Sequence, residues 1–237
     1  MKIFLIVLAV LVLVSENSQP PNPHIDLEAM NKTMGVRFLG PDLTGYSVSG
    51  AGDVDGDKVK DFLISAPQAT SLLDGATFAG QVYVLYGQQN TTTAMGIWGS
   101  DFNLSTLISS PLLGRVIDGV VGGSYLGMSV STAGDFNADG LSDVLIGAPR
   151  WNTNQGKAFV VFGKAKSQAI TPLFLNNLSS NTAIEFVGES INNYFGWSVS
   201  SGDWNSDGFV DLLIGAPWFF KLHRSDIHDL WTQWEHG

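Results

Sequence analysis

The chain has no cysteine in 237 residues, so no disulfide holds it together and no thiolate is present to act as nucleophile or metal ligand. Basic residues are scarce as well: 12 Lys and Arg stand against 22 Asp and Glu, a net charge of −10. With no basic stripe, a nucleic-acid surface is excluded. No Gly-x-Ser-x-Gly elbow, phosphate-binding glycine loop or His-Glu-x-x-His pair occurs, and each of those patterns carries a particular chemistry. The chain therefore reads as a non-enzyme. Long apolar runs are also missing after the first 14 residues, because Asp211 and Pro217 interrupt the one other candidate.

The acidic residues are concentrated. Asp53-Val-Asp-Gly-Asp-Lys-Val-Lys-Asp61, Asp135-Phe-Asn-Ala-Asp-Gly-Leu-Ser-Asp143 and Asp203-Trp-Asn-Ser-Asp-Gly-Phe-Val-Asp211 place oxygen side chains at loop positions 1, 3, 5 and 9. The first loop holds four carboxylates at these positions and the others three each. The remaining 12 acids equal the 12 bases in number. Hard divalent cations take six to eight oxygen ligands, and calcium suits flexible loops of this kind. The expected ligands are Asp53, Asp55, Asp57 and Asp61; Asp135, Asn137, Asp139 and Asp143; and Asp203, Asn205, Asp207 and Asp211. The position-7 residues Val59, Leu141 and Phe209 would each turn a carbonyl inward. Up to three Ca²⁺ ions are expected.

Electrostatics gives the reason. Two carboxylates about 5 Å apart repel by roughly 3 kcal/mol at an effective dielectric near 20. A cation reverses that sign. These are not helix-flanked EF-hands, which need a bidentate Glu at position 12; here position 12 is Ile64, Ile146 or Ile214, inside short apolar runs of strand composition. The first loop differs at position 6, where Lys58 replaces Gly140 and Gly208. A left-handed backbone there costs a lysine about 1 kcal/mol that glycine avoids.

The flanks repeat too. Gly45-Tyr-Ser-Val-Ser, Gly127-Met-Ser-Val-Ser and Gly196-Trp-Ser-Val-Ser precede the loops, and Ser65-Ala-Pro67, Gly147-Ala-Pro149 and Gly215-Ala-Pro217 end the following strands. Gly80-Gln-Val-Tyr-Val-Leu-Tyr-Gly87 and Gly156-Lys-Ala-Phe-Val-Val-Phe-Gly163 supply a third strand in two copies. A more variable fourth segment falls in the connectors. Four short antiparallel strands per unit describe a propeller blade.

With Phe195-Gly196 and Gly215-Ala-Pro217 matching in full, the pattern resembles the FG-GAP repeat of integrin α subunits and of glycosylphosphatidylinositol-specific phospholipase D. The resemblance implies an all-β fold of about two and a half to three FG-GAP-type propeller blades, a partial propeller, with calcium in the Asp loops. The expected organisation is a signal peptide over 1–18, a linker over 19–35 and a first repeat over 36–88. A connector over 89–115, a second repeat over 116–164, a connector over 165–183, an incomplete third repeat over 184–220 and an atypical tail over 221–237 follow.

Met1-Lys2 and the apolar run Ile3 to Val14, followed at once by polar sequence, have the layout of a secretory leader. The protein is thus expected to be secreted or to face the cell exterior, with sequons at Asn31, Asn90, Asn103 and Asn177 open to glycosylation. Trp197 and Trp204 are expected to pack between blades and Trp151 to sit at a rim. The functional expectation is a calcium-dependent adhesion or recognition module for an extracellular protein or glycan, with a partner subunit as a further possibility. The alternative is a non-catalytic accessory region of a secreted hydrolase such as a phospholipase.

Overall fold

The computed structural model describes residues 8–11, 36–88, 98, 101–168, 171–176 and 178–218. Among these lie fourteen strands: β1 (Leu8–Leu11), β2 (Val36–Leu39), β3 (Val48–Gly52), β4 (Asp61–Ala66), β5 (Gln81–Leu85), β6 (Asp101–Asn103), β7 (Gly114–Asp118), β8 (Ser129–Gly134), β9 (Asp143–Ala148), β10 (Lys157–Val161), β11 (Leu173–Phe174), β12 (Ala183–Val187), β13 (Ser198–Gly202) and β14 (Asp211–Gly215). The linker over 19–35, most of the expected leader, the tail over 221–237 and the sequons at Asn31, Asn90 and Asn177 lie outside the described residues.

The strands form blades. The first is the antiparallel meander β3-β4-β5-β7, with β11 added in parallel on the outside of β7. The second is β8-β9-β10-β12, and the third contributes the hairpin β13-β14. The fourth strand of the first blade, β7, spans the end of the expected 89–115 connector and the start of the second repeat. Before these, β2 pairs antiparallel with β1 and parallel with β6. Four residues of the expected leader thus form an edge strand beside β2.

The inner strands of the blades explain their unbroken apolar runs. An antiparallel sheet usually wets one face, but a sheet buried on both faces reads as continuous hydrophobics. Alternation sends Leu63, Val82 and Val84 to the core between the first two blades, and Ile64, Tyr83 and Leu85 to the core shared with Phe38, Phe102, Leu104 and Leu107. In the second blade Val144, Ile146, Phe159 and Val161 face the first blade, whereas Leu145, Ala158 and Val160 face the third. One strand serves two cores.

Blades meet through two repeated contacts. The Val130 amide donates to Ser47 Oγ at 3.2 Å, and the Val199 amide donates to Ser129 Oγ at 3.1 Å, so the same serine bridges to the same valine in successive repeats. The second contact requires glycine. Gly80 and Gly156, at φ +87° and +85°, run so close to the next repeat that a Cβ would lie 2.2 Å from the Leu126 carbonyl oxygen and 2.1 Å from that of Phe195. The amides of Leu126 and Phe195 close these approaches by donating to the Ala79 and Gln155 carbonyls.

The tryptophans depart from expectation, and the ring partners of Trp197 belong to its own repeat. Trp197 packs edge-on against Tyr194 and Trp218, at ring distances of 5.7 and 5.3 Å. Trp204 does not lie between blades: it is 56% exposed, because no described residue covers the outer face of the third repeat. Trp151 is half-buried, with the Lys157 ammonium 4.0 Å from its ring centre and Lys157 paired to Glu185 at 2.7 Å.

Gly156→Ala combines a strained backbone with a backbone clash. We expect it to cost about 2–4 kcal/mol in urea unfolding, and a variant within 0.5 kcal/mol of the native chain would show that the close approach is not under constraint.

Candidate metal centre

All three Asp loops connect the first two strands of a blade, so they project from one rim. The first two open at a bulge with a positive-φ glycine: the β3–β4 register shifts between Gly50 and Gly52, and β8–β9 shifts between Thr132 and Gly134. Position 6 is left-handed in every loop, with φ of 70° at Lys58, 88° at Gly140 and 87° at Gly208. Lys58 therefore carries the strain expected from the sequence.

Position 9 has a task that the spacing alone did not show. Asp61, the first residue of β4, is buried; its Oδ2 accepts the Val54 amide and its Oδ1 the Gly87 amide, both at 2.8 Å. Asp143 repeats this with Phe136 at 2.9 Å and Gly163 at 2.8 Å. One carboxylate thereby ties the loop's second residue to the exit of the third strand. In the third repeat Asp211 accepts from the Trp204 amide at 3.0 Å.

The second and third loops are near copies. Asp135 accepts the amides of Asp139 and Gly140, Asn137 accepts that of Asp139, and Asp139 accepts that of Leu141. Asp203, Asn205 and Asp207 do the same with the amides of Asp207, Gly208 and Phe209. In both loops the Asn side-chain amide donates to the position-5 Asp, at 2.9 and 3.0 Å. Each side-chain oxygen at positions 1, 3 and 5 thus accepts one hydrogen bond within the turn, which fixes its place and leaves it a second lone pair.

The first loop is the most convergent. Asp53, Asp55 and Asp61 bring one carboxylate oxygen each within 4.8 Å of one another, and among the described residues no other acidic trio does so. Three carboxylates at that spacing suit a hard cation. Asp57 is turned differently: its Oδ2 lies 2.7 Å from the Lys166 ammonium. Lys166 also lies 3.0 Å from Asp55 Oδ2, a buried oxygen that has no aligned hydrogen-bond donor.

Burial sets the acidities. It pushes the Asp61 carboxyl up to about 7 against the amides of Gly87 and Val54, with the charges of Asp55 and Asp57 adding to the rise. Asp143 is pushed up to about 6 by burial, against the Gly163 and Phe136 amides. Burial also raises Asp55, although Lys166 opposes it. Asp57 is drawn downward: the Lys166 and Val59 hydrogen bonds outweigh its burial.

The sign of the pH dependence follows. A carboxyl raised above its ordinary value of 3.8 holds its proton more tightly in the folded chain. That stability is fully present below the ordinary range and is lost as pH rises through about 6 to 7. In chelator, the chain should melt at a higher temperature at pH 5.5 than at pH 7.5. A bound divalent cation needs the ionised form, so excess calcium should reverse the order. Equal melting points at both pH values in chelator would contradict these burial-driven shifts.

The FG-GAP repeat family model matches residues 44–85, 126–161 and 195–226, one match on each loop-bearing hairpin. The chain is 38% identical over 108 residues to integrin alpha-5 of Xenopus laevis, an alignment of 45% of this chain and 9% of that protein. It is 37% identical over 115 residues to integrin alpha-V of Gallus gallus, covering 48% and 10%. It is 27% identical over 177 residues to phosphatidylinositol-glycan-specific phospholipase D of Homo sapiens, covering 73% and 18%. The chain thus spans less than a fifth of the length of each of these relatives. The chain thus carries three FG-GAP repeats, each match lying on one blade's inner hairpin and its Asp loop.

Proposed function

We propose that the chain is a calcium-dependent recognition module whose Asp loops, up to three of them, hold Ca²⁺ and stiffen the blade rim that meets a ligand. The observation that supports it most is the identical hydrogen-bond scaffold of the second and third loops. It keeps −3 of side-chain charge in each turn, and no Lys or Arg among the described residues pairs with either loop. Calcium would supply the missing positive charge and six to eight contacts per ion. Its ligands would be Asp135, Asn137, Asp139, Asp143 and the Leu141 carbonyl in one loop, and Asp203, Asn205, Asp207, Asp211 and the Phe209 carbonyl in the other.

The similarity to integrin α chains supports an extracellular protein or glycan as ligand, with a partner subunit, and a secreted or surface location. The described residues contain no helix long and apolar enough to cross a membrane. Removal of the leader would strip β1 from β2 and open that edge. Glycans on Asn31, Asn90, Asn103 and Asn177 belong to the same reading; of these, Asn103 is described, exposed at the end of β6 with its side-chain oxygen on the Ser105 amide. The longest of the alignments above, to the phospholipase, favours a second reading, in which these repeats are the non-catalytic portion of a larger secreted hydrolase.

Extracellular calcium modules bind with dissociation constants of about 10⁻⁴ to 10⁻³ M. At 1 mM calcium and a constant of about 0.1 mM, each filled loop stabilises the fold by roughly 1.4 kcal/mol. Thermal melts with calcium and with EGTA should differ accordingly, and capture on arrays of matrix proteins and glycans should vanish in EGTA. Melting curves that superimpose with and without calcium would remove the proposal. A catalytic domain joined to these repeats in the full transcript would select the second reading.

A further inference from the structure

The first loop departs from its two copies in two ways that share one explanation. Position 3 is Asp55 where the others have Asn137 and Asn205. Its side chains at positions 3 and 5 face an ammonium from another blade, 2.7 Å from Asp57 and 3.0 Å from Asp55. As in the second loop, the carboxyls at positions 1 and 9 hold two backbone amides each: Gly56 and Lys58 on Asp53, Val54 and Gly87 on Asp61. Asp53 also has the Lys58 ammonium 3.6 Å away.

Lys166 is not a stray surface lysine. It follows β10 in the connector leaving the second blade, and that connector is pinned to the first loop. The Lys164 amide donates to the Val54 carbonyl at 2.9 Å, and beside it the Ser142 amide of the second Asp loop donates to the Asp53 carbonyl at 2.8 Å. A Cβ on Gly163 would lie 2.8 Å from the Val54 carbonyl oxygen, so the backbones are in contact. The ammonium lies 5.4 Å from the centre of the buried Tyr86 ring, and the Lys166 side chain is 23% exposed. Burial alone would lower its pKa, but the hydrogen bonds and charges of Asp57 and Asp55 outweigh burial and raise it.

We propose that Lys166 is the resident cation of the first loop: its tethered ammonium takes the place that Ca²⁺ takes in the second and third loops and clasps the first blade to the second without metal. The extra carboxylate, Asp55, is the counterpart of this built-in charge. A tethered cation competes at high effective concentration, and calcium entering the loop would have to expel Lys166 from between two carboxylates. The native chain therefore binds calcium in two loops and not in the first. This deepens the calcium reading above and rests on it only for the number two.

The test is calcium titration calorimetry on the native chain and on Lys166→Met, both freed of metal with chelator. The variant should bind one more Ca²⁺ per chain than the native protein. In EGTA it should melt below the native protein, because Asp55 and Asp57 lose their counter-charge, and calcium should restore it. A variant that folds only with calcium gives the same support. Equal stoichiometry in the two proteins overturns the inference. A second measurement needs no variant. With ¹³C,¹⁵N-lysine labelling, the Lys166 side-chain resonances should stay in place while calcium saturates the native chain, and a move to the free-lysine position overturns the inference. If the native chain takes no calcium and the variant takes one, the reading of the second and third loops fails while this one stands.

Discussion

A carboxylate taken out of water has to be given partners, and that requirement organises the rim of this protein. The aspartate that begins the second strand of each repeat lies at the base of its loop, and in the first two blades it is buried with an amide on each oxygen. Those amides come from the loop's start and from the residue that follows the third strand. Three backbone segments are therefore fixed by one side chain, which is why a loop rich in like charges keeps a single shape. The other oxygens of the loop are then presented at fixed positions. Whether a metal ion or a lysine supplies the positive charge is a separate matter from the loop's geometry.

Below the rim, sheets buried on both faces carry the stability. Each inner strand divides its side chains between two cores, so a blade is not a free-standing unit with one wet face. The close approaches at Gly80 and Gly156 bring neighbouring backbones into contact. They set the spacing at which the paired faces interlock.

Much of this was legible in the sequence because the repeats are written in register. The strand after each loop, the left-handed sixth position and the propeller blades all follow from spacing and residue type. Other features depend on distant parts of the chain. Lys166 is 109 residues from Asp57, and nothing around it distinguishes it from any exposed lysine. The outer strand β7 pairs with β5 across a variable connector whose composition carries no strand signal. The second role of the closing aspartates was half visible, since Gly87 and Gly163 recur after the third strand, but their amides could not be matched to an acceptor from spacing alone. Trp204 was misplaced because burial depends on what lies beyond the hairpin. Its indole packs over Gly202 and is otherwise open.

The serine-to-valine bond between repeats has a direction. Ser47 receives from Val130 and Ser129 from Val199, so each repeat offers an acceptor on one flank and a donor on the other. Such a contact is heterologous rather than self-matching, and a two-fold axis cannot generate it. Blades joined this way advance like steps of a spiral stair, all turned in one sense, and two stacks can meet through this seam only head to tail.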